Sequence, residues 1–72
     1  MEQEAYKGYV LWGHAILQQD VSSASTRYVA SGTVMQERRL AEASGVLGAF
    51  DDELSAQEAG LAWARAWVDS HA

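Results

Sequence analysis

The chain has no cysteine and no proline, and its 72 residues include only two histidines and five basic side chains. Without cysteine, neither a disulfide nor a thiolate metal site can stabilise a domain of this size. Without proline, collagen-like and proline-rich linker architectures fall away. The shortage of Lys and Arg removes most of the counterion release that drives nonspecific nucleic-acid binding. The one basic pair, Arg38-Arg39, is flanked by Glu37 and Glu42, so nucleic acid is not an expected partner. No apolar run approaches the ~20 residues that span a bilayer. The best candidate, Ala59 to Val68, is short and carries Arg65. The N-terminus, Met1-Glu2-Gln3-Glu4-Ala5, is acidic where a secretory signal is basic. A cytoplasmic protein with no membrane association is the expectation.

What remains is a chain that is 49% hydrophobic and 21% charged, with a net charge of −5. That balance suits a folded globule and not a disordered segment. The length fits a single domain over residues 1–72, with a thin margin of stability because so small a domain buries a modest share of its surface.

Tyr6 to Leu17 is dense in strand formers, interrupted by Gly8 and Gly13. The polar stretch Gln18-Gln19-Asp20-Val21-Ser22-Ser23-Ala24-Ser25 reads as a loop. Thr26 to Met35 reads as a second strand, Gln36-Glu37-Arg38 as a short hairpin connection, and Arg39 to Ser44 as a third strand, although its Leu-Ala-Glu-Ala core also suits a helix. Gly45 to Phe50 reads as a connection pressed onto the core. From Ser55 on, the S-x-x-E spacing of Ser55 and Glu58 matches a capping box, and five alanines without a proline support a helix from Ala56 to about His71. Steps of 100° place Ala59, Ala62, Trp63, Ala66 and Trp67 on a main apolar arc, with Leu61, Ala64 and Val68 on a smaller strip opposite.

The expected fold class is therefore α+β in two layers: a three-stranded antiparallel meander with one C-terminal helix on one face, in the order β-β-β-α. Such a sheet should show water one polar face. The first strand does not comply, since Tyr6, Val10, Trp12 and Ile16 share one parity and Tyr9, Leu11, Ala15 and Leu17 the other. One helix covers one face, so large apolar side chains are left over, and each is worth about 1.5–3 kcal/mol when buried. Pairing of the exposed faces in a homodimer recovers that energy. The candidate interaction surface comprises Tyr9, Leu11, Leu17, Val29 and Met35. The rival register has a bulge at Gly13 that shifts parity midway and buries most of the strand on one side.

Catalytic patterns are absent. There is no H-E-x-x-H, no G-x-S-x-G and no phosphate-binding glycine loop. His14 reads as a hydrogen-bonded or surface imidazole, and His71 as a group at the helix C-terminus, where a cation meets the dipole favourably. Asp51, Asp52 and Glu53 lack EF-hand spacing and suit a helix start better. Neither an enzyme nor a cofactor is expected.

The run Phe50, Asp51, Ala56, Gly60, Leu61, Trp63, Ala64 and Trp67 resembles short uncharacterised bacterial single-domain proteins in which aromatic strands lead into a W-A-x-x-W helix; no activity comes with that resemblance. Ser55-Ala56-Gln57-Glu58-Ala59 is more distantly similar to the capped helix of HicB-type antitoxin domains, although the acidic-proline turn and the DNA-binding segment of that family are missing. The expected function is a small noncatalytic interaction domain that binds itself or an unidentified protein through its sheet. Alternatives are a small-ligand-binding domain with its ligand between sheet and helix, and a HicB-like partner-binding module.

Overall fold

A computed structural model describes residues 2–19 and 26–71. Its elements are β1 (Glu2–Tyr6), β2 (Tyr9–Gln19), β3 (Thr26–Gln36), β4 (Arg39–Ala43), β5 (Gly48–Phe50) and α1 (Glu53–His71). The architecture is α+β, one antiparallel sheet with a C-terminal helix on one face, but the sheet has five strands where three were expected.

The additional strands have local causes. Lys7 and Gly8 both take positive φ, 50° and 86°, which is the two-residue turn that matches the twist of a hairpin. The chain therefore folds back at Gly8, and the aromatic run divides into β1 and β2, paired from Glu2↔Gly13 to Tyr6↔Tyr9. Tyr6 consequently shares a face with Tyr9, not with Val10. The same turn recurs at Glu37 and Arg38, with φ of 51° and 67°, and forms the expected connection from β3 to β4. The strand reading of residues 39–44 holds over Arg39–Ala43. Beyond it, Ser44 N–H donates to Gly32 O at 2.9 Å and Leu47 N–H to Ala30 O at 2.8 Å. This stitching brings Gly48–Phe50 against Ala30–Tyr28 of β3 as a strand, where only a connection was expected. Gln18 and Gln19 extend β2; the remainder of the expected loop, 20–25, lies outside the described residues.

The helix begins three residues ahead of the expected Ala56. Asp52 supplies the cap: its carboxylate accepts from the Ser55 amide at 2.8 Å and from the Ser55 hydroxyl at 2.7 Å. A carboxylate both accepts the orphan amide and opposes the positive end of the helix dipole, so it displaces Ser55 from the capping role. Those two hydrogen bonds, the hydroxyl's first, hold the Asp52 carboxyl below its ordinary range.

The core lies between α1 and the strands β2 and β3. Leu11, Val34, Leu61, Ala64 and Val68 form it, all buried, with Tyr6, Tyr9, Trp63 and Trp67 at its margin. The helix thus turns its Leu61–Ala64–Val68 strip to the sheet, which reverses the expectation that Ala59, Trp63 and Trp67 lead inward; Ala62 and Ala66 are exposed. The reason is glycine. A Cβ on Gly13 would meet the Gln57 carbonyl and lie 3.0 Å from Leu61 Cγ, one on Gly32 would lie 2.8 Å from Trp63 Cε3, and one on Gly60 would meet the Ser31 carbonyl. Three glycines therefore let helix backbone touch sheet backbone, and only the face that carries Gly60 can approach so closely. The indoles, too large for that gap, settle along its sides. Trp67 meets Tyr9 edge-on with centroids 6.0 Å apart.

Candidate functional site

Alternation along β2 and β3 assigns each residue to a face. Leu11, Gly13, Ala30, Gly32 and Val34 are buried under the helix. Between them stand Val10, Trp12, His14 and Ile16 on β2 and Val29, Ser31, Thr33 and Met35 on β3, which point to the opposite face. The register runs unbroken through Gly13↔Gly32, so the bulge considered at Gly13 is absent. The irregularity falls instead between Val34 and Met35, where β4 joins β3. Beyond it Leu40 sits opposite Met35 and adds to the uncovered face. Ile16 is 54% exposed and Leu40 62%.

Five sequence-derived surface residues separate accordingly. Val29 and Met35 lie on the uncovered face, half-buried among their neighbours. Leu11 is completely buried and has to be withdrawn from any surface, because its parity is the one that meets Gly60 and Leu61. Tyr9 belongs to the helix side and packs on Trp67. Leu17 shares that side but remains 59% exposed. Trp12, Ile16, Val10 and Leu40 were not among the five. The signal that finds them is the mid-strand glycine pair, which marks the parity lying under the helix.

The uncovered face is uncharged at its centre. Its polar groups are Ser31, Thr33, His14 and, opposite Trp12, Gln3, and His14 Nε2 lies 3.0 Å from Thr33 Oγ1. The His14 ring runs parallel to that of Trp12, at 5° with centroids 6.5 Å apart. Arg27 stands opposite Gln18 at the far end. The ion pairs gather on the helix side instead. Arg65 donates two hydrogen bonds to the Glu4 carboxylate, at 2.9 and 3.0 Å. Asp69 accepts from both the Lys7 ammonium and the Tyr6 hydroxyl at 2.8 Å. The Arg65 hydrogen bonds hold the Glu4 carboxyl below its usual value. Lys7 and then Tyr6 do the same for Asp69, while hydrogen bonding to Asp69 raises both Lys7 and Tyr6. These contacts fasten β1 to the second half of α1 and leave the centre of the other face free of charge, with Arg27 at its far end.

Other chemistry-bearing residues are dispersed. His71 Nδ1 lies 2.8 Å from the Trp67 carbonyl oxygen and its ring stacks on that indole, 4.0 Å away, which closes the helix C-terminus. Among the described residues no three of His, Cys, Asp and Glu converge as metal ligands, and no helix is long and apolar enough to cross a membrane. Residues Gln36, Glu37, Arg39, Leu40 and Ala41 line an open depression at the β3–β4 turn that lacks the enclosing walls of a ligand site. No family model, curated protein or solved structure matches the chain.

Proposed function

We propose that the protein is a small noncatalytic interaction module that self-associates through the sheet face its helix leaves uncovered. The observation that carries this reading is the apolar character of that face, uncharged except for Arg27 at its far end: Val10, Trp12, Ile16, Val29, Met35 and Leu40 with no carboxylate among them. Ten paired positions of β2 and β3 give the face a length of about 33 Å, and four strand columns a width of about 19 Å. Roughly 600 Å² per copy is then available, at the lower end of what a specific dimer buries. A chain of net charge −5 also repels its own copies, and this face is where two of them meet with least opposition. The glycine contacts between helix and sheet leave little space there for a ligand, which favours the outer face as the working surface.

Sedimentation of the purified protein across a dilution series tests the proposal. The expected result is a concentration-dependent mass above that of one chain, reduced in Trp12→Asp while circular dichroism stays unchanged. A mass of one chain at every concentration overturns it, and so does a Trp12→Asp protein with undiminished mass.

A further inference from the structure

Among the described residues, no strand covers the edge of β2 from Ala15 onward. β1 pairs with β2 only from Glu2↔Gly13 onward, whereas β2 runs on to Gln19 with β3 at its other side. Among the described residues no strand pairs with Ala15–Gln19 on the β1 side, so alternate backbone N–H and C=O groups there face outward. Folded proteins protect such edges with charge, proline, a bulge or a covering element. The other three edges comply, β5 because at three residues it is too short to template a partner. β1 carries Glu4, tied to Arg65, and β4 carries Arg39 and Glu42 next to the bulge at Val34/Met35. Ala15-Ile16-Leu17-Gln18-Gln19 has none of these devices, and its Ile16 and Leu17 are both more than half exposed.

We propose that this edge pairs with the same edge of a second copy, antiparallel, about a two-fold axis at Leu17. A segment that pairs with itself isologously must run antiparallel. With the axis at Leu17, Ala15 opposes Gln19, Ile16 opposes Gln18 and Leu17 opposes Leu17, so all five open positions of each copy are satisfied by the other. An axis at Ile16 would ask Gly13, already paired with Glu2, to pair a second time; an axis at Gln18 would set Ile16 and Ala15 opposite positions 20 and 21, outside the described strand. Gln57 in the second turn already lies over Gly13 and Trp67 reaches Tyr9, so most of each helix runs away from the joint and the two helices sit toward its opposite ends. An axis perpendicular to the sheet puts both helices on one side and merges the two uncovered faces into a single larger one. This edge contact is distinct from the face packing proposed above, and the two together build a four-chain assembly.

The test uses Leu17→Cys, whose thiol is the only one in a chain that has no cysteine. Two-fold pairing places the new side chains directly opposite, within ~5 Å at Cβ, where a disulfide closes after slight adjustment. Val46→Cys, at a position 76% exposed, measures the rate of chance collision. Under mild oxidation Leu17→Cys is expected to form a covalent dimer at least about tenfold faster than Val46→Cys, because pairing holds the thiols at high effective concentration. It should keep that rate when combined with Trp12→Asp, which loses face packing alone. Equal rates for the two cysteine variants overturn the edge pairing, and leave the face reading intact if Trp12→Asp still lowers the mass of the otherwise native chain. As a second reading, the Leu17→Lys protein is expected to sediment as an assembly of half the native number of chains; an unchanged mass overturns the proposal.

Discussion

The two faces of this sheet are built from the same strands by opposite means. Under the helix the strands carry their smallest residues where contact is closest, Gly13 and Gly32, with Leu11 and Val34 filling the space beyond. On the other face the same strands carry Trp12, Ile16 and Met35, with none of the described elements over them. The covered face is made of shape, since backbone meets backbone and a single added carbon is one too many. The open face is made of area, since it presents apolar surface without a partner among the described residues. Stability of the monomer should therefore depend on the first face, and association on the second.

The strongest way to break that contrast is Gly60→Val. A side chain at residue 60 must displace the Ser31 carbonyl, which is held in the middle of the sheet, so the helix has to lift along much of its length. Overpacking of a rigid core costs about 1–3 kcal/mol and sometimes more. Here the upper end is expected, enough to abolish a cooperative urea transition in a domain with a small reserve. A transition with an unchanged midpoint would show that the glycines are not what holds helix to sheet.

A paired substitution sharpens the comparison further. Leu11→Ala removes a completely buried side chain and is expected to cost about 2–5 kcal/mol. Ile16→Ala, five residues along the same strand and on the other face, should change monomer stability by about 0.5 kcal/mol or less while weakening association. Urea denaturation at low concentration and sedimentation at high concentration separate the two effects. Similar losses of stability at both positions would mean that the uncovered face is covered within the chain.

Much of this organisation is readable in the sequence. The α+β class, the C-terminal helix and the hairpin at Gln36–Arg38 follow from composition and local pattern, and so does the surplus of apolar residues on the first strand. Two features escape for physical reasons. The turn at Lys7-Gly8 lacks the Asn-Gly or Asp-Gly pair that announces a tight hairpin, so β1 and β2 read as one strand. Periodicity weights a helix face by its apolar bulk, which favours Trp63 and Trp67, whereas the sheet selects the face that can come nearest, and Gly60 contributes nothing to such a count. The same omission assigns Leu11 and Tyr9 to the surface. Parity shows that β2 has two apolar faces, and only the glycines, by requiring backbone contact, show which of them is covered.

Acid and alkali bring out the last difference between the faces, because the ion pairs stand on the helix side alone. Glu4 and Asp69 have carboxyls held below their ordinary values by Arg65 and by Lys7 with Tyr6, and Asp52 is lowered by Ser55. At acid pH the unfolded chain binds protons that the folded chain refuses. The stability these carboxylates confer is therefore complete above about pH 5 and declines as pH falls through their folded values. Lys7 and Tyr6 are raised by Asp69, so their contribution is complete below about pH 9 and declines as pH rises through their own folded values. Urea midpoints should accordingly form a plateau near neutrality with a fall on each side. Glu4→Gln keeps the shape of the side chain but surrenders the charge, so its effect is a modest lowering of the plateau and a shallower acid limb. Because the Glu4–Arg65 pair is still partly open to solvent, the change should also shrink with added salt. An acid limb as steep in Glu4→Gln as in the native chain would place the acid-sensitive contacts elsewhere than on the tie between β1 and α1.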